Sequence, residues 1–259
     1  MEVVSGVTSL GPDNGRLFVA IGVFDGLHRG HAYLLRHLRR EAEKRRARAT
    51  VITFDHHPDE ILVGAAPPLL CDPAERLERL GSAGVELTIV QHFDALLRQT
   101  EYDAFVASIR ERVELAGFVM TPDAAFGYER RGTPAALADL GLQLGFEVAI
   151  VPPFEVDGRP VRSTDIRSAI ASGDLATAAR LLGRPVAVVG DATPTPAGAR
   201  VEFELPVALP ASGRYAVLAQ VAGTPIDARA SIKDGRVELD RRMRGPVRIE
   251  FRGSAGPTR

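Results

Sequence analysis

The stretch Leu17-Phe18-Val19-Ala20-Ile21-Gly22-Val23-Phe24-Asp25-Gly26-Leu27-His28-Arg29-Gly30-His31 decides how the rest of the chain is read. Leu17–Val23 is a short apolar run ending at a Phe-Asp-Gly turn, which predicts a buried strand rather than a helix. From His31 to Arg46 the spacing changes: Leu34, Leu35 and Leu38 recur at helical intervals, and the basic run from Arg39 to Arg48 reads as the solvated face of the same helix. A strand that enters a helix through a glycine-bearing turn is the first half of a βαβ unit, and in open α/β sheets ligands sit outside the carboxyl ends of the strands. Gly22, Gly26 and Gly30 permit tight turns and close approach of backbone to a ligand. The new helix directs unpaired N–H groups and its positive dipole end toward the same place, so an anion is favoured there. His28 and His31 are three apart; within one helical turn their imidazoles face the same way and can donate to one phosphate chain. The pair has two other readings, as part of a metal site with only Asp25 nearby as a further ligand, or as histidines without a role.

Outward from this stretch the alternation continues. Candidate strands are Thr50–Phe54, Leu87–Gln91, Phe118–Thr121 and Glu147–Val151. Asp72-Pro73-Ala74-Glu75 supplies a capping carboxylate, a proline at the first helical position and a glutamate at the third, and so marks a helix start. Tyr102–Val113, Pro134–Leu144, Thr164–Ala171 and Leu175–Leu182 complete the helical set. The expectation is an α/β fold, a parallel sheet flanked by helices, over residues 1–186. Beyond Pro185, short runs such as Tyr215–Val221 and Val237–Leu239, separated by Asp234-Gly235, predict a small β domain over 187–259. The Pro/Thr/Ala-rich stretch Ala192–Ala199 reads as a loop or linker.

Composition narrows the function. A chain of 259 residues with 45% hydrophobic and 25% charged positions is neither disordered nor collagen-like. Its 32 Lys+Arg against 33 Asp+Glu leave a net charge of −1, so neither nucleic acid nor an anionic membrane is an expected partner. The single cysteine, Cys71, excludes an internal disulfide and a thiolate-rich zinc site. No basic region followed by an apolar stretch opens the sequence and no segment approaches the roughly 20 apolar residues of a membrane span, so a cytoplasmic location is expected. Lysine occurs only at Lys44 and Lys233, which leaves arginine as the main cationic side chain. The oligomeric state is not specified by these features.

Gly22–His31 resembles the G-x-F-D-G-x-H-x-G-H signature of the HxGH nucleotidyltransferases, in particular the adenylyltransferase module of the bacterial bifunctional riboflavin kinase/FAD synthetases. Further stretches resemble that family in the same order. Val51–Pro58 is similar to V-x-T-F-x-P-H-P, Val119–Gly127 to V-x-G-x-D-F-x-F-G, Ser163–Arg167 to S-S-T-x-I-R, and Leu181–Pro185 to the L-L-G-R-P element that joins the two modules. The resemblance implies an FMN adenylyltransferase with a Rossmann-like fold, ATP and FMN as substrates and Mg²⁺ accompanying the ATP. An FMN phosphate oxygen attacks the α-phosphorus of ATP, the bond to the bridging oxygen breaks, pyrophosphate leaves and FAD forms. Such a transfer needs alignment and charge neutralisation above all.

By the same resemblance, His28, His31 and Arg167 are the catalytic candidates, and Gly22, Phe24, Asp25, Gly30, Ser163 and Thr164 the ATP contacts. Phe54, His57, Pro58, Asp123, Phe126 and Gly127 border the flavin, and no protein metal ligands are assigned. Taken alone, Ser163-Thr164 is also an ordinary helix cap, and the phenylalanines are also ordinary core residues. Departures concentrate on the flavin side: His56 for the first proline of P-H-P, Thr121 and Ala124 for Gly and Phe, and Arg162 for the first serine of S-S-T. They keep open a different phosphorylated acceptor, or a noncatalytic flavin- or nucleotide-binding protein. In the β region Leu209–Val217 resembles the L-P-x-x-G-x-Y-A-V strand of the riboflavin kinase barrel, but the P-T-A-N element is absent. A degenerate kinase-like barrel without kinase activity is expected.

Overall fold

Six runs rich in β-branched and aromatic residues, too short to bury as helices, align side by side in the computed structural model, which describes residues 1–254. They are β1 (Glu2–Ser5), β2 (Arg16–Ile21), β3 (Arg48–Phe54), β4 (Leu87–Gln91), β5 (Glu114–Met120) and β6 (Glu147–Ile150). The sheet has the order β1-β4-β3-β2-β5-β6, and every pair is parallel. The helices between the strands are α1 (Arg29–Lys44), α2 (Pro58–Leu62), α3 (Pro73–Ser82), α4 (Ala95–Arg98), α5 (Tyr102–Arg110) and α6 (Pro134–Leu144).

Alternate strand residues feed two cores. Leu17, Val19, Ile52 and Phe118 pack with Phe105, Val106, Ile109 and Leu137 from α5 and α6 on one face. Phe18, Ala20, Val51 and Val119 pack with Leu35, Leu38 and Leu80 from α1 and α3 on the other. A sheet covered on both faces explains why the strands read as nearly unbroken apolar runs. The expected α/β architecture is therefore present.

Chain order creates a switch point. From β2 the chain moves through β3 and β4 on one side, then returns to place β5 on β2's opposite flank. The loops leaving β2 and β5 thus diverge from adjacent strand ends, where open sheets present a ligand crevice.

Two strands differ most from the sequence reading, while β2 ends at Ile21 rather than Val23 and β3 begins at Arg48 rather than Thr50. β1, an edge strand paired with β4, has only two apolar residues, Val3 and Val4, too few for a visible pattern. β5 begins at Glu114 rather than near Phe118, because Gly117 interrupts the run; here the register against β2 shifts and a Cβ would collide with the Glu147 carbonyl, so glycine admits a bulge.

Contacts divide the chain into two compact units, Met1–Pro67 with Pro73–Pro160, and Pro68–Asp72 with Val161–Arg259. In the first, β6 is followed by a two-stranded antiparallel hairpin, β7 (Glu155–Val156) and β8 (Arg159–Pro160); the second holds α7 (Ser163–Ala171), α8 (Leu175–Leu182) and a closed antiparallel barrel. The barrel is formed by β9 (Ala187–Thr195), β10 (Gly198–Glu202), β11 (Gly213–Val221), β12 (Thr224–Lys233), β13 (Arg236–Leu239) and β14 (Gly245–Ser254) in the order β10-β13-β12-β11-β14-β9. Inward positions alternate along its strands, with Ala228, Ala230, Ile232, Val237 and Leu239 buried. Leu69 joins this unit through hydrogen bonds with Pro206 and Ala208.

The reading of Ala192–Ala199 as a linker is corrected: it is the β9–β10 hairpin. Pro194 is tolerated because β14 pairs only with Ala187–Ala192, so the missing N–H of Pro194 costs no bond to a third strand.

Candidate active site

The turn that leaves β2 is tied down from one side by the next strand. Gly22 N–H donates to the Ile52 carbonyl at 3.0 Å, and the Thr53 hydroxyl donates to the Val23 carbonyl at 3.0 Å. Arg76, from α3, donates to the Val23 carbonyl at 3.2 Å and to the Phe54 carbonyl at 2.9 Å, bridging the ends of β2 and β3. Only 8% of Arg76 is exposed. A buried guanidinium spent on two strand-end carbonyls fixes the loop rather than reaching solvent. Sequence reading missed it because an arginine in an amphipathic helix reads as solvated; its i, i+4 relation to buried Leu80 was the available signal.

Held in this way, the turn adopts backbone that side chains resist. Phe24 has φ 52° and Leu27 φ 39°, with Gly26 at 75° between them. Phe24, Asp25, Leu27 and His28 are all buried, so surrounding packing sustains the left-handed conformations. A side chain at Gly22 would press on the Phe24 ring, 3.2 Å from its built Cβ.

His28 is the N-cap of α1: its Nδ1 accepts the His31 backbone N–H at 3.3 Å. An accepting Nδ1 places the proton of a neutral ring on Nε2. The His28 and His31 rings stack, with centroids 3.7 Å apart and planes 16° apart, and Phe24 lies 5.1 Å from His31. Burial, followed by the neighbouring His28, pushes the His31 pKa well below the ordinary histidine value. The His31 side chain is partly exposed, yet its Nδ1 is buried without a hydrogen-bond partner. Buried polar atoms are rarely left so.

At the end of β3, Phe54 packs edge to face on Phe93 at 5.4 Å. His57 caps α2 through Nδ1, accepting Asp59 N–H at 3.2 Å, and Pro58 occupies its first turn. After β5, Asp123 accepts the Thr121 hydroxyl at 2.8 Å, and the Phe126 ring packs against Phe105 and Phe118 at the margin of the core. Gly127 has φ 75°, and a Cβ there would lie 2.7 Å from the Tyr102 backbone nitrogen, so glycine is required. The structure thus groups Gly22–His31 with the end of β3, and places the Asp123–Gly127 segment after β2's other neighbour.

Ser163, Thr164 and Arg167 belong to the second unit. Ser163 opens α7 behind Arg162, which holds the N-cap position without a side-chain cap, so the serine is inside the helix rather than its cap. Arg167 Nε donates to the Pro68 carbonyl at 2.8 Å.

Among the described residues, one group brings together His and carboxylate atoms at metal-binding distances: Asp55, His56 and His92, in the loops after β3 and β4. Two open clefts, about 710 and 660 Å³, lie at the amino-terminal ends of the strands beside Arg16 and Ala49, and neither includes the Gly22–His31 turn. No described helix is long and apolar enough to cross a membrane.

The chain is similar to known proteins over most of its length. It is 32% identical over 191 residues to the bifunctional riboflavin kinase/FMN adenylyltransferase of Pseudomonas fluorescens, covering 73% of this chain and 61% of that protein. The Haemophilus influenzae protein of the same description is 33% identical, over 66% of this chain and 56% of its own. The chain thus spans about three fifths of the length of these curated relatives. A crystal structure described as a macrolide-efflux protein from Streptococcus pneumoniae is similar with a TM-score of 0.84 and 25% identity, covering 100% of this chain and 91% of that one. Residues 11–165 match the family of FAD synthetases, more than half of the chain. On that match, the chain belongs to the FAD synthetase family.

Proposed function

We propose that this protein is a cytoplasmic FMN adenylyltransferase, transferring AMP from ATP to FMN with release of pyrophosphate. One observation carries the reading: a strained, buried turn at the switch point of the sheet delivers two stacked imidazoles to a helix start, one with a buried nitrogen that lacks a partner. Phosphate oxygens are the acceptors such a place lacks. His28 and His31 bind the phosphate chain through ring N–H groups, while the backbone of Phe24 and Asp25 shapes the cradle and Gly22 and Gly30 keep it open to close approach. Arg76 acts through the loop as a positioning residue. The roles of Ser163, Thr164 and Arg167 rest on their sequence motif, as do those of Phe54, His57, Pro58, Asp123, Phe126 and Gly127 toward the flavin.

The donors at the turn suit an anion, not a bare cation, since the imidazoles are the wrong ligands for Mg²⁺ and Asp25 is already engaged. An accompanying Mg²⁺ would be held mainly by the triphosphate rather than by this turn, and would supply charge neutralisation for adenylyl transfer at the α-phosphorus. The barrel is proposed to lack kinase activity, because the P-T-A-N element is missing; Thr193-Pro194-Thr195-Pro196 instead ends β9 and enters its hairpin.

The test is incubation of the purified chain with ATP, Mg²⁺ and FMN, followed by chromatography of the flavins. FAD and pyrophosphate in equal amounts are expected, with no FMN formed from riboflavin. A folded protein that binds ATP yet yields no FAD would reject FMN as acceptor.

A further inference from the structure

The cluster at the junction of the β3 and β4 loops takes no part in the phosphate cradle. Asp55, His56 and His92 each offer a ligand atom, all within 4.8 Å of one another, and all three residues are exposed. The Asp55 carboxylate is fixed at the junction: Oδ2 contacts His92 Nδ1 at 2.6 Å, while Oδ1 accepts the backbone N–H of His56 at 2.7 Å and of Phe93 at 3.1 Å. The two imidazoles stand edge to face, with centroids 5.9 Å apart. Glu60, in α2, contacts His56 Nδ1 at 3.3 Å.

This donor set is that of zinc-class transition metals, which favour imidazole with carboxylate; Mg²⁺ and Ca²⁺ favour oxygen alone. A carboxylate on one ring nitrogen of a histidine fixes the other nitrogen as the ligand and raises its basicity. Glu60 does this for His56, whereas Asp55 and His92 would give up their mutual contact so that both turn to the cation. Tetrahedral ligands around zinc stand roughly 3.3 Å apart. Exposed side chains already within 4.8 Å reach that spacing by small rotamer changes. An isolated surface ion pair accounts for His92 with Asp55, but not for a second imidazole, buttressed by its own carboxylate, beside the first. We propose that Asp55, His56 and His92 bind one zinc-class divalent cation, with a fourth position left to solvent, and that the cation clamps the loop after β3 to the loop after β4.

The full chain, stripped with a chelator, is titrated with Co²⁺ and followed by its visible ligand-field bands, then with Zn²⁺ in competition. One equivalent is expected to give the intense bands of a four-coordinate site, and Zn²⁺ to abolish them. His56→Gln and His92→Gln should each weaken binding at least about 10-fold, and Glu60→Gln by about 10-fold. His31→Ala should leave it unchanged. Circular dichroism confirms that each variant is folded, and Asp55→Asn provides a second route should one histidine variant fail. Wild-type protein that takes up no more cobalt than the His56→Gln/His92→Gln double variant overturns the proposal, as does loss of the site in His31→Ala.

Discussion

The ends of β2 and β3 are neighbours in one sheet, yet they are built in opposite ways. The β2 turn is buried, strained at Phe24 and Leu27, and bound by Thr53 and Arg76. The β3 loop is exposed at Asp55 and His56 and leads into a short helix whose Ile61 and Leu62, with Val63 just beyond its end, are exposed to solvent. On the proposed function, rigidity sits where phosphate charge would be met by fixed donors, because preorganised dipoles need no reorganisation during reaction. The other loop is shaped by pairings that solvent can replace. Of the departures from the common motif, His56 falls in this pliable loop, while Thr121 and Ala124 follow β5 and Arg162 precedes α7.

The largest test of that contrast is removal of the imidazoles. His28→Ala and His31→Ala are expected to lower the rate of FAD formation by about 10²–10³-fold, as loss of a preorganised donor does, with the variants still folded by circular dichroism. His28→Ala also removes the α1 cap, at a cost of about 1 kcal/mol in urea denaturation. Equal rates in both variants and wild type would remove the distinction between the loops.

Arg76→Met should come next. It leaves the Phe54 carbonyl without its guanidinium donor and loosens the β2 turn, so urea midpoints should show about 2 kcal/mol of lost stability. Turnover should fall with little change in FMN affinity, because the residue acts through the turn. A stability loss with unchanged turnover would make Arg76 merely structural.

The two regions should also respond to acid with opposite signs. His31 has a lowered pKa from burial and then His28, so below about 6.5 the unfolded chain takes up a proton that the folded ring refuses. Its contribution to stability therefore falls with pH from about 6.5 down to the lowered folded value. His92 is raised by its hydrogen bond to Asp55 and then by that residue's charge. Burial alone would raise the Asp55 carboxyl, but hydrogen bonds from His92, Phe93 and His56 carry it below the usual value. The His92 contribution is present in mild acid and is lost as pH rises through its raised value. Thermal melts from pH 5 to 8 should show a smaller acid loss in His31→Asn than in wild type, and a larger one in His92→Ala. The same slope in all three would contradict both assignments.

The smallest effect is expected at Phe54→Leu, which trims an edge-to-face contact with Phe93. A rise of a few-fold in the KM for FMN, with the KM for ATP unchanged, would place this residue on the acceptor side.

Local features were legible in the sequence. Gly22–His31 announced a strand, a turn and a helix start because each signal lies within a few residues, and five motifs in order pointed to the family. Alternation of strands and helices gave the α/β class, and the change of texture after Pro185 gave the β region. Non-local features were not legible. The order of strands, which makes the end of β2 a switch point, depends on pairings between residues far apart in sequence. Arg76 acts on Val23 and Phe54, 53 and 22 positions away, and no periodicity reports that. The Asp55–His92 contact joins two loops 37 positions apart. Ala192–Ala199 looked like a linker because a hairpin that spends its prolines where no third strand pairs has a linker's composition.

The chain has six histidines, so imidazole resonances of ¹⁵N-histidine-labelled protein can be followed individually as ATP and Mg²⁺ are added. Shifts concentrated on His28 and His31, with the His31 Nδ1 signal moving as its buried nitrogen changes environment, are the expected result. Saturable ATP binding that leaves those two rings undisturbed would contradict the assignment of the β2 turn as the phosphate cradle.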